Sequence, residues 1–411
     1  MSSWKVEKNA AWLFLAEVLS RAFNFALLLA VWRVLGRENF GVLAFDYAVA
    51  DLLLVATGFG FDDLLVREGS RKPRKAGAYL LHILLLRSAA LPLAAGISAL
   101  AALFQGGDPL LGGLVFCSSF ALQQLLLLCA FFRSRQVMEK ETLVRFLTGA
   151  GIFSTGLAAI LLGGGLLGVV GARLGVASLA WAGTYFWILR RFAPTRAGFR
   201  RRLALALGRA ALPLAGFLAL TQVYGGIQAV LLGYMEGNRA VADYGAAQRI
   251  FLLLLMVPAS LARSYLPDLS LQRGKGLGGR LLKGGSLLLL LSLALLALTW
   301  AFGGTVLSLL FRRDWSGALP VLHVLSLALV PDFLNHLFAA GLVASDRQDQ
   351  VLRAAAAGAG AALVSAPLGI HLAGAPGAAW SLVFAVTVVL FFQARFLLAG
   401  PVRPGEREVP L

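Results

Sequence analysis

Charge is scarce in this chain. Of its 411 residues, 14% are Asp, Glu, Lys or Arg, 59% are hydrophobic, and the mean hydropathy is +0.80. A soluble protein of this length needs a polar surface that so few charges cannot cover, which excludes the soluble class. Cysteine is nearly missing too. Cys117 and Cys129 share one apolar segment, roughly 18 Å apart on a continuous helix, which is too far for a mutual disulfide. Four histidines (His82, His323, His336 and His371) are scattered without metal-ligand spacing. No G-x-x-x-x-G-K-[ST] run occurs, because Gly274-Lys275-Gly276 lacks the rest of the pattern, so a nucleotide drive within the chain is excluded. No long loop gathers the Asp, Glu, Arg or His cluster that a membrane glycosyltransferase or polymerase generally needs, and catalysis is disfavoured. The first apolar run carries no small-residue cleavage signature and reads as a retained helix, not as a signal peptide.

What is abundant is apolar sequence in runs of about 20 residues or more, each long enough to cross a hydrocarbon core. Hydrophobic runs and their charged punctuation predict helices at 9–35, 40–61, 77–104, 109–132, 142–164, 166–189, 208–234, 241–266, 281–311, 318–344, 350–372 and 374–399. Gly163-Gly164-Gly165 is the sole break between the fifth and sixth. The expected class is therefore an all-α integral membrane protein of about twelve transmembrane helices.

The formal net charge of +17 is distributed unevenly. One alternate set of loops holds 28 of the 37 Lys and Arg residues, among them Arg71, Lys75, Arg133, Arg145, Arg196, Arg200, Arg263 and Arg273. The opposite set holds five: Arg33, Arg37, Arg239, Arg312 and Arg313. By the positive-inside rule this bias places both termini in the cytoplasm of an inner-membrane protein. It also accounts for the basic balance through anionic membrane lipids, without nucleic acid. The richest basic loop falls at mid-chain. It suggests a lobe at 1–190, a linker at 191–207, a second lobe at 208–399 and a cytoplasmic tail at 400–411. The lobes retain a faint echo, Leu35-Gly36 with Glu38-Asn39 against Leu232-Gly233 with Glu236-Gly237-Asn238, as expected of six helices duplicated around a central cavity.

Ionisable groups far from helix ends are costly in hydrocarbon unless paired or hydrated, so they are the candidate site. Glu17 and Arg21 stand at i, i+4 on the first helix. Asp46 and Asp51 lie on the second, Arg87 on the third, Arg173 on the sixth and Arg249 on the eighth. Arg21, Arg87 and Arg249, near mid-depth, suit a hydrated cavity for an anionic group such as a diphosphate, with Asn24, Gln228 and Tyr224 as neutral lining. Glu17, Asp46 and Asp51 would either couple to a proton or sodium gradient or simply hold the arginines. The bland reading pairs Glu17 with Arg21, and Asp51 with Arg87 or Arg249, as ties within a dry bundle. Arg173, nearer the outer interface, is expected to snorkel. His336 beside Asn335 is expected as a satisfied core histidine, and Asp62 and Asp63 as solvated. Pro92, Pro213, Pro258 and Pro267 interrupt helices and serve either as hinges or as fixed bends. Gly149-Gly151 and Gly168-Gly171 permit close helix contacts.

Trp32-Arg33-Val34-Leu35-Gly36-Arg37-Glu38-Asn39-Phe40-Gly41 resembles the aromatic/Arg, Leu-Gly, acidic, Phe/Tyr-Gly signature of polysaccharide-biosynthesis flippases. These are the oligosaccharide branch of the multidrug/oligosaccharidyl-lipid/polysaccharide exporter superfamily. Further matches follow in order: Gly58-Phe59-Gly60 with Leu65-Val66-Arg67-Glu68, then Leu212-Pro213-Leu214 through Tyr244-Gly245-Ala246-Ala247-Gln248-Arg249-Ile250 to Leu266-Pro267. Leu310-Phe311 with Ala318-Leu319-Pro320-Val321-Leu322 and Gly374-Ala375-Pro376-Gly377-Ala378-Ala379 complete the set. The resemblance implies two six-helix lobes around a cavity. It also implies an O-antigen-type substrate, an oligosaccharide on undecaprenyl diphosphate, moved to the periplasmic leaflet without a cofactor beside other polysaccharide-assembly membrane proteins. It places the first, second, seventh and eighth helices on the cavity. Where the family often carries an acidic residue midway along the seventh helix, this chain reads Tyr224-Gly225-Gly226-Ile227-Gln228. The competing reading is a cation-coupled multidrug exporter of the same superfamily, with Glu17 as its ion-binding carboxylate.

Overall fold

The structure, a computed structural model, describes residues 3–192, 199–256, 277–312, 314–345 and 347–398. Among these the fold is entirely helical. In order come α1 (Ser3–Ala30) with a π-turn at Val31–Leu35, α2 (Arg37–Gly58), α3 (Phe61–Arg71), α4 (Ala76–Phe104), α5 (Pro109–Ser134), α6 (Met138–Leu161) and α7 (Gly165–Phe192). Then follow α8 (Arg201–Glu236), α9 (Asn238–Leu254), α10 (Leu277–Phe311), α11 (Ala318–Leu327), α12 (Leu329–Ala344) and α13 (Gln348–Leu398). Ten helical spans among the described residues are long and apolar enough to cross a membrane. Residues 193–198 of the expected linker, the tail 400–411, Arg263, Arg273, Pro258, and Leu266-Pro267 lie outside the described residues.

The last span is a hairpin. Gly374 breaks the helical dihedrals at φ 59° and ψ −132°. The two arms then face each other in antiparallel register, with the Ser365 and Ser381 hydroxyls 2.8 Å apart and Arg347 Nη2 donating to the Phe396 carbonyl at 2.6 Å. Gly369 and Gly377 meet backbone to backbone, with no room for a Cβ on either. The expected helices 350–372 and 374–399 are these two arms.

The chain forms two compact units. The first comprises Met1–Gln222 with Glu236–Ala242 and Leu310–Asp314, and the second Val223–Met235, Asp243–Leu309 and Trp315–Leu411.

In the first unit α1 lies along α6, α6 along α7, and α5 against α4 and α7. Glycine makes the α1–α6 approach possible: a Cβ on Gly149 would sit 2.9 Å from Phe23 Cδ2, and one on Gly156 2.8 Å from Leu27 Cδ1. Close contact through small residues is how helices associate where no hydrophobic effect drives them. Gly151 has the same role against Val176, whereas Gly171 meets nothing.

Helix α3 was not expected. Phe61, Leu64 and Leu65 form an i, i+3, i+4 stripe that buries against α4 and α5, while Arg67 and Arg71 point outward. Asp62, expected to be solvated, instead pairs with Arg87. Nearby, His82 is fully buried in α4. Its Nδ1 lies 2.7 Å from the Ala78 carbonyl, which only accepts, so Nδ1 carries the proton and Nε2 accepts the Arg200 backbone N–H at 2.8 Å. That bond fixes the start of α8, and Pro213 sits inside this helix without ending it.

The other end of this unit gathers the motif residues. Gly36 (φ 92°, ψ 168°) opens α2 and Gly237 (φ 79°, ψ −173°) opens α9. These are two near-identical turns in a region only glycine occupies readily. The echo read from the sequence is thus structural, with Gly36 matching Gly237 and not Gly233. Gly41 packs directly on the Asn238 carbonyl, and Gln105 Nε2 donates to Asn238 Oδ1 at 2.6 Å. Trp32, Phe40 and Phe311 stack edge to face, and Arg33 Nε donates to the Leu310 carbonyl at 2.8 Å.

In the second unit Trp300 of α10 stacks on His323 and donates to the Ser326 hydroxyl at 3.1 Å. Asn335 of α12 donates to the Val386 carbonyl of the hairpin at 3.0 Å.

Candidate functional site: an arginine-lined cavity in the first unit

Ser20, Arg21 and Asn24 occupy one face of α1, at i, i+1 and i+4. Arg145, Thr148, Gly149 and Ile152 occupy one face of α6, at i, i+3, i+4 and i+7. Together with Leu122, Leu125 and Leu126 of α5 and Arg173 of α7 they line a cavity of about 240 Å³. Three guanidinium groups and no carboxylate belong to this lining.

Carboxylates stand just behind. Glu17 Oε1 accepts from Arg21 Nε at 2.7 Å, and Glu17 Oε2 accepts from Arg145 Nη2 at 2.7 Å. Arg145 Nε donates to the Ser20 hydroxyl at 3.2 Å, and its Nη1 lies 3.5 Å from Glu141 Oε1. Glu141 Oε2 lies 3.2 Å from Arg133 Nε. Charges alternate in one line, Arg21, Glu17, Arg145, Glu141 and Arg133, with one more cation than anions. Arg173 adds another positive charge and rests 4.4 Å over the Tyr47 ring. A cavity with fixed guanidinium forks and an apolar wall on α5 suits an anionic oxygen group carrying an apolar portion.

The structure therefore brings Arg21 and Asn24 together, with Glu17 as their neighbour. It adds three residues that sequence reasoning missed or misplaced. Arg145 stands at the edge of the expected helix 142–164 and counts there with the basic loop, whereas α6 begins a turn earlier, at Met138, and sets Arg145 two turns inside the helix. Glu141 was missed for the same reason, although Glu17-Val-Leu-Ser-Arg21 and Glu141-Thr-Leu-Val-Arg145 repeat one E-x-L-x-R pattern. Arg173, expected to snorkel, lies over the Tyr47 ring and belongs to the cavity lining.

Other expected residues lie elsewhere. Arg87 does not line this cavity. Its side chain is 0% exposed, with Nη2 3.1 Å from Asp62 Oδ2 and 3.0 Å from the Gly58 carbonyl, and Nη1 3.3 Å from the Gln123 carbonyl. It clamps α4 to α3, α5 and the end of α2. Asp46 is buried, with Oδ2 accepting no hydrogen bond, where α2 meets the first turn of α5. Asp51 is exposed on α2. Tyr224, Gln228 and Arg249 belong to the second unit, where Gln228 is buried and donates to the Tyr224 carbonyl at 2.8 Å. His336 also lies there, its Nδ1 donating to the Asp332 carbonyl at 2.8 Å.

An all-helical membrane fold with a cationic cavity inside one bundle defines the class. Residues 6–270 match the family model described as "Polysaccharide biosynthesis protein", and residues 213–368 match the one described as "MatE". The first match covers more than half of the chain, which thus belongs to the polysaccharide biosynthesis protein family. No curated protein matches in sequence. Among solved structures, the lipid II flippase MurJ in an inward closed conformation superposes with a TM-score of 0.75 at 13% identity, covering 93% of this chain and 86% of that one. An inward-facing multidrug resistance MATE family transporter of the MOP superfamily gives 0.66 at 15% identity, covering 95% and 98%. A MOP superfamily transporter from Pyrococcus furiosus, described by a reversed polarity of its binding pocket, gives 0.63 at 18%, covering 96% and 95%. At these identities the likeness is one of fold.

Proposed function

We propose that this protein is a flippase that carries an oligosaccharide on undecaprenyl diphosphate from the cytoplasmic to the periplasmic leaflet of the inner membrane by alternating access. Arg21, Arg145 and Arg173 hold the diphosphate, Asn24 and Ser20 contribute neutral hydrogen bonds, and the isoprenoid tail stays in lipid. The observation that carries this reading is a cavity lined by three guanidinium groups without a carboxylate. Membership of the polysaccharide biosynthesis family and the fold shared with a lipid II flippase support it. The working unit has two six-helix lobes and both termini in the cytoplasm; the connection between them is shorter than the expected 191–207, because α7 runs to Phe192 and α8 starts at Arg201. Its basic end faces anionic lipids and other polysaccharide-assembly membrane proteins.

Arg249 and Tyr224 are kept as substrate contacts of the second unit taken by itself, whereas Gln228, fully buried on the Tyr224 carbonyl, is assigned to packing. Arg87 is reassigned to holding the bundle. Asp46, buried with no cation in contact among the described residues, is the best placed carboxylate for coupling to a proton or sodium gradient, ahead of the exposed Asp51.

The match of residues 213–368 to the MatE family favours a second reading, a cation-coupled multidrug exporter. Three guanidinium groups would repel organic cations from this cavity, which ranks that reading lower. The test is surface glycan in cells expressing Arg21→Ala, Arg145→Ala or both at normal protein level. The expected result is a loss of at least tenfold for the double variant. Unchanged glycan with a lowered tolerance to cationic drugs would transfer the assignment to the exporter.

A further inference from the structure

Glu17 occupies a peculiar position. Its two oxygens each hold a different guanidinium of the cavity, Arg21 through Oε1 and Arg145 through Oε2, both at 2.7 Å. It is not itself part of the lining. The side chain is 38% exposed, Arg21 44% and Arg145 16%, so the three groups are partly open to whatever enters. Arg145 is further held by Ser20 and by Glu141, which in turn faces Arg133. Removing Glu17 from the bridge would therefore leave Arg145 with other partners in place. Among the described residues, Glu17 is the one carboxylate on Arg21.

We infer that Glu17 is a built-in counter-ion that determines which anions the cavity admits. This rests on the reading of the cavity as an anion site. A bridging carboxylate satisfies two forks with charge-assisted hydrogen bonds, so an entering group must replace both. A ligand with negative charge on two linked centres, such as a diphosphate, can take both guanidinium groups at once. A singly charged group can take one and leaves Glu17 on the other, with two negative charges crowded against each other. Discrimination of this kind comes from a built-in competitor as much as from contacts to the favoured ligand. Glu17 acts here as a positioning and specificity residue and needs no contact with the bound diphosphate.

The experiment uses the purified full-length protein in nanodiscs and isothermal titration with two probes, inorganic pyrophosphate and dimethyl phosphate. Wild type is expected to prefer pyrophosphate by at least a hundredfold. Glu17→Gln keeps the shape but releases the bridge, and it should narrow the preference to under tenfold by gaining affinity for dimethyl phosphate. Glu17→Asp keeps the charge on a side chain too short to reach both arginines, and it should fall between. A uniform loss of stability would weaken both probes alike, so the ratio separates selection from structure. If Glu17→Gln does not fold, Glu17→Asp decides the matter. Pyrophosphate binding with the same preference in all folded variants overturns the role of Glu17 and leaves the anion site standing. Absence of pyrophosphate binding in wild type and in every variant overturns the anion site itself.

Discussion

Arg87 and Arg21 are both arginines inside apolar helices, yet their surroundings give them opposite work. Arg87 is wholly enclosed, with a carboxylate and two carbonyls on its two terminal nitrogens. Removing one partner of such a pair costs about 3–5 kcal/mol, because it strands a charge away from water. Asp62→Ala should therefore lower the melting temperature of the purified protein sharply, whereas Arg21→Ala should leave it nearly unchanged. Similar melting of the two variants would contradict this division. The sequence places both arginines near mid-depth and cannot separate them, because Asp62 sits among charges that read as a loop. The E-x-L-x-R repeat was visible, but its second copy falls beside Lys140 and Arg133, where charge density suggests an interface. Nothing short of the α1–α6 pairing brings Glu17 onto Arg145.

Individual helices were legible wherever the apolar run was long. The break at Gly163-Gly164-Gly165 is present, with Gly163 and Gly165 at φ 78° and 58°. The hairpin at Gly374 was also legible, since Gly and Pro cluster there. What escaped was amphipathic: α3 carries five charged residues in eleven and only a narrow stripe of Phe61, Leu64 and Leu65, too short to register as a buried helix. Two further turns carry their own test. Gly36 and Gly237 have open space where a Cβ would be, so alanine there is opposed by backbone conformation alone. Each Gly→Ala change should cost about 1–3 kcal/mol in unfolding free energy. Gly171→Ala, in an ordinary helical conformation with equal space, should be neutral or slightly stabilising. Equal effects at all three positions would mean that the turns do not require glycine.

At the scale of the molecule, apolar length predicted a membrane bundle, and the motifs predicted the family that the chain belongs to. The cavity was not legible as a whole. Its residues come from four helices whose pairing depends on which glycines face which side chains, and a hydropathy pattern holds no such information. The central claim is that the arginine cavity of the first unit engages the diphosphate of a lipid-linked glycan during its passage. The direct measurement is reconstitution into liposomes carrying an undecaprenyl-diphosphate oligosaccharide, with glycan reaching the far leaflet read by a membrane-impermeant reagent. Wild type should move the lipid well above the rate of protein-free liposomes, and Arg21→Ala/Arg145→Ala should fall back to that rate. A double variant as fast as wild type, with wild type clearly active, would contradict the account.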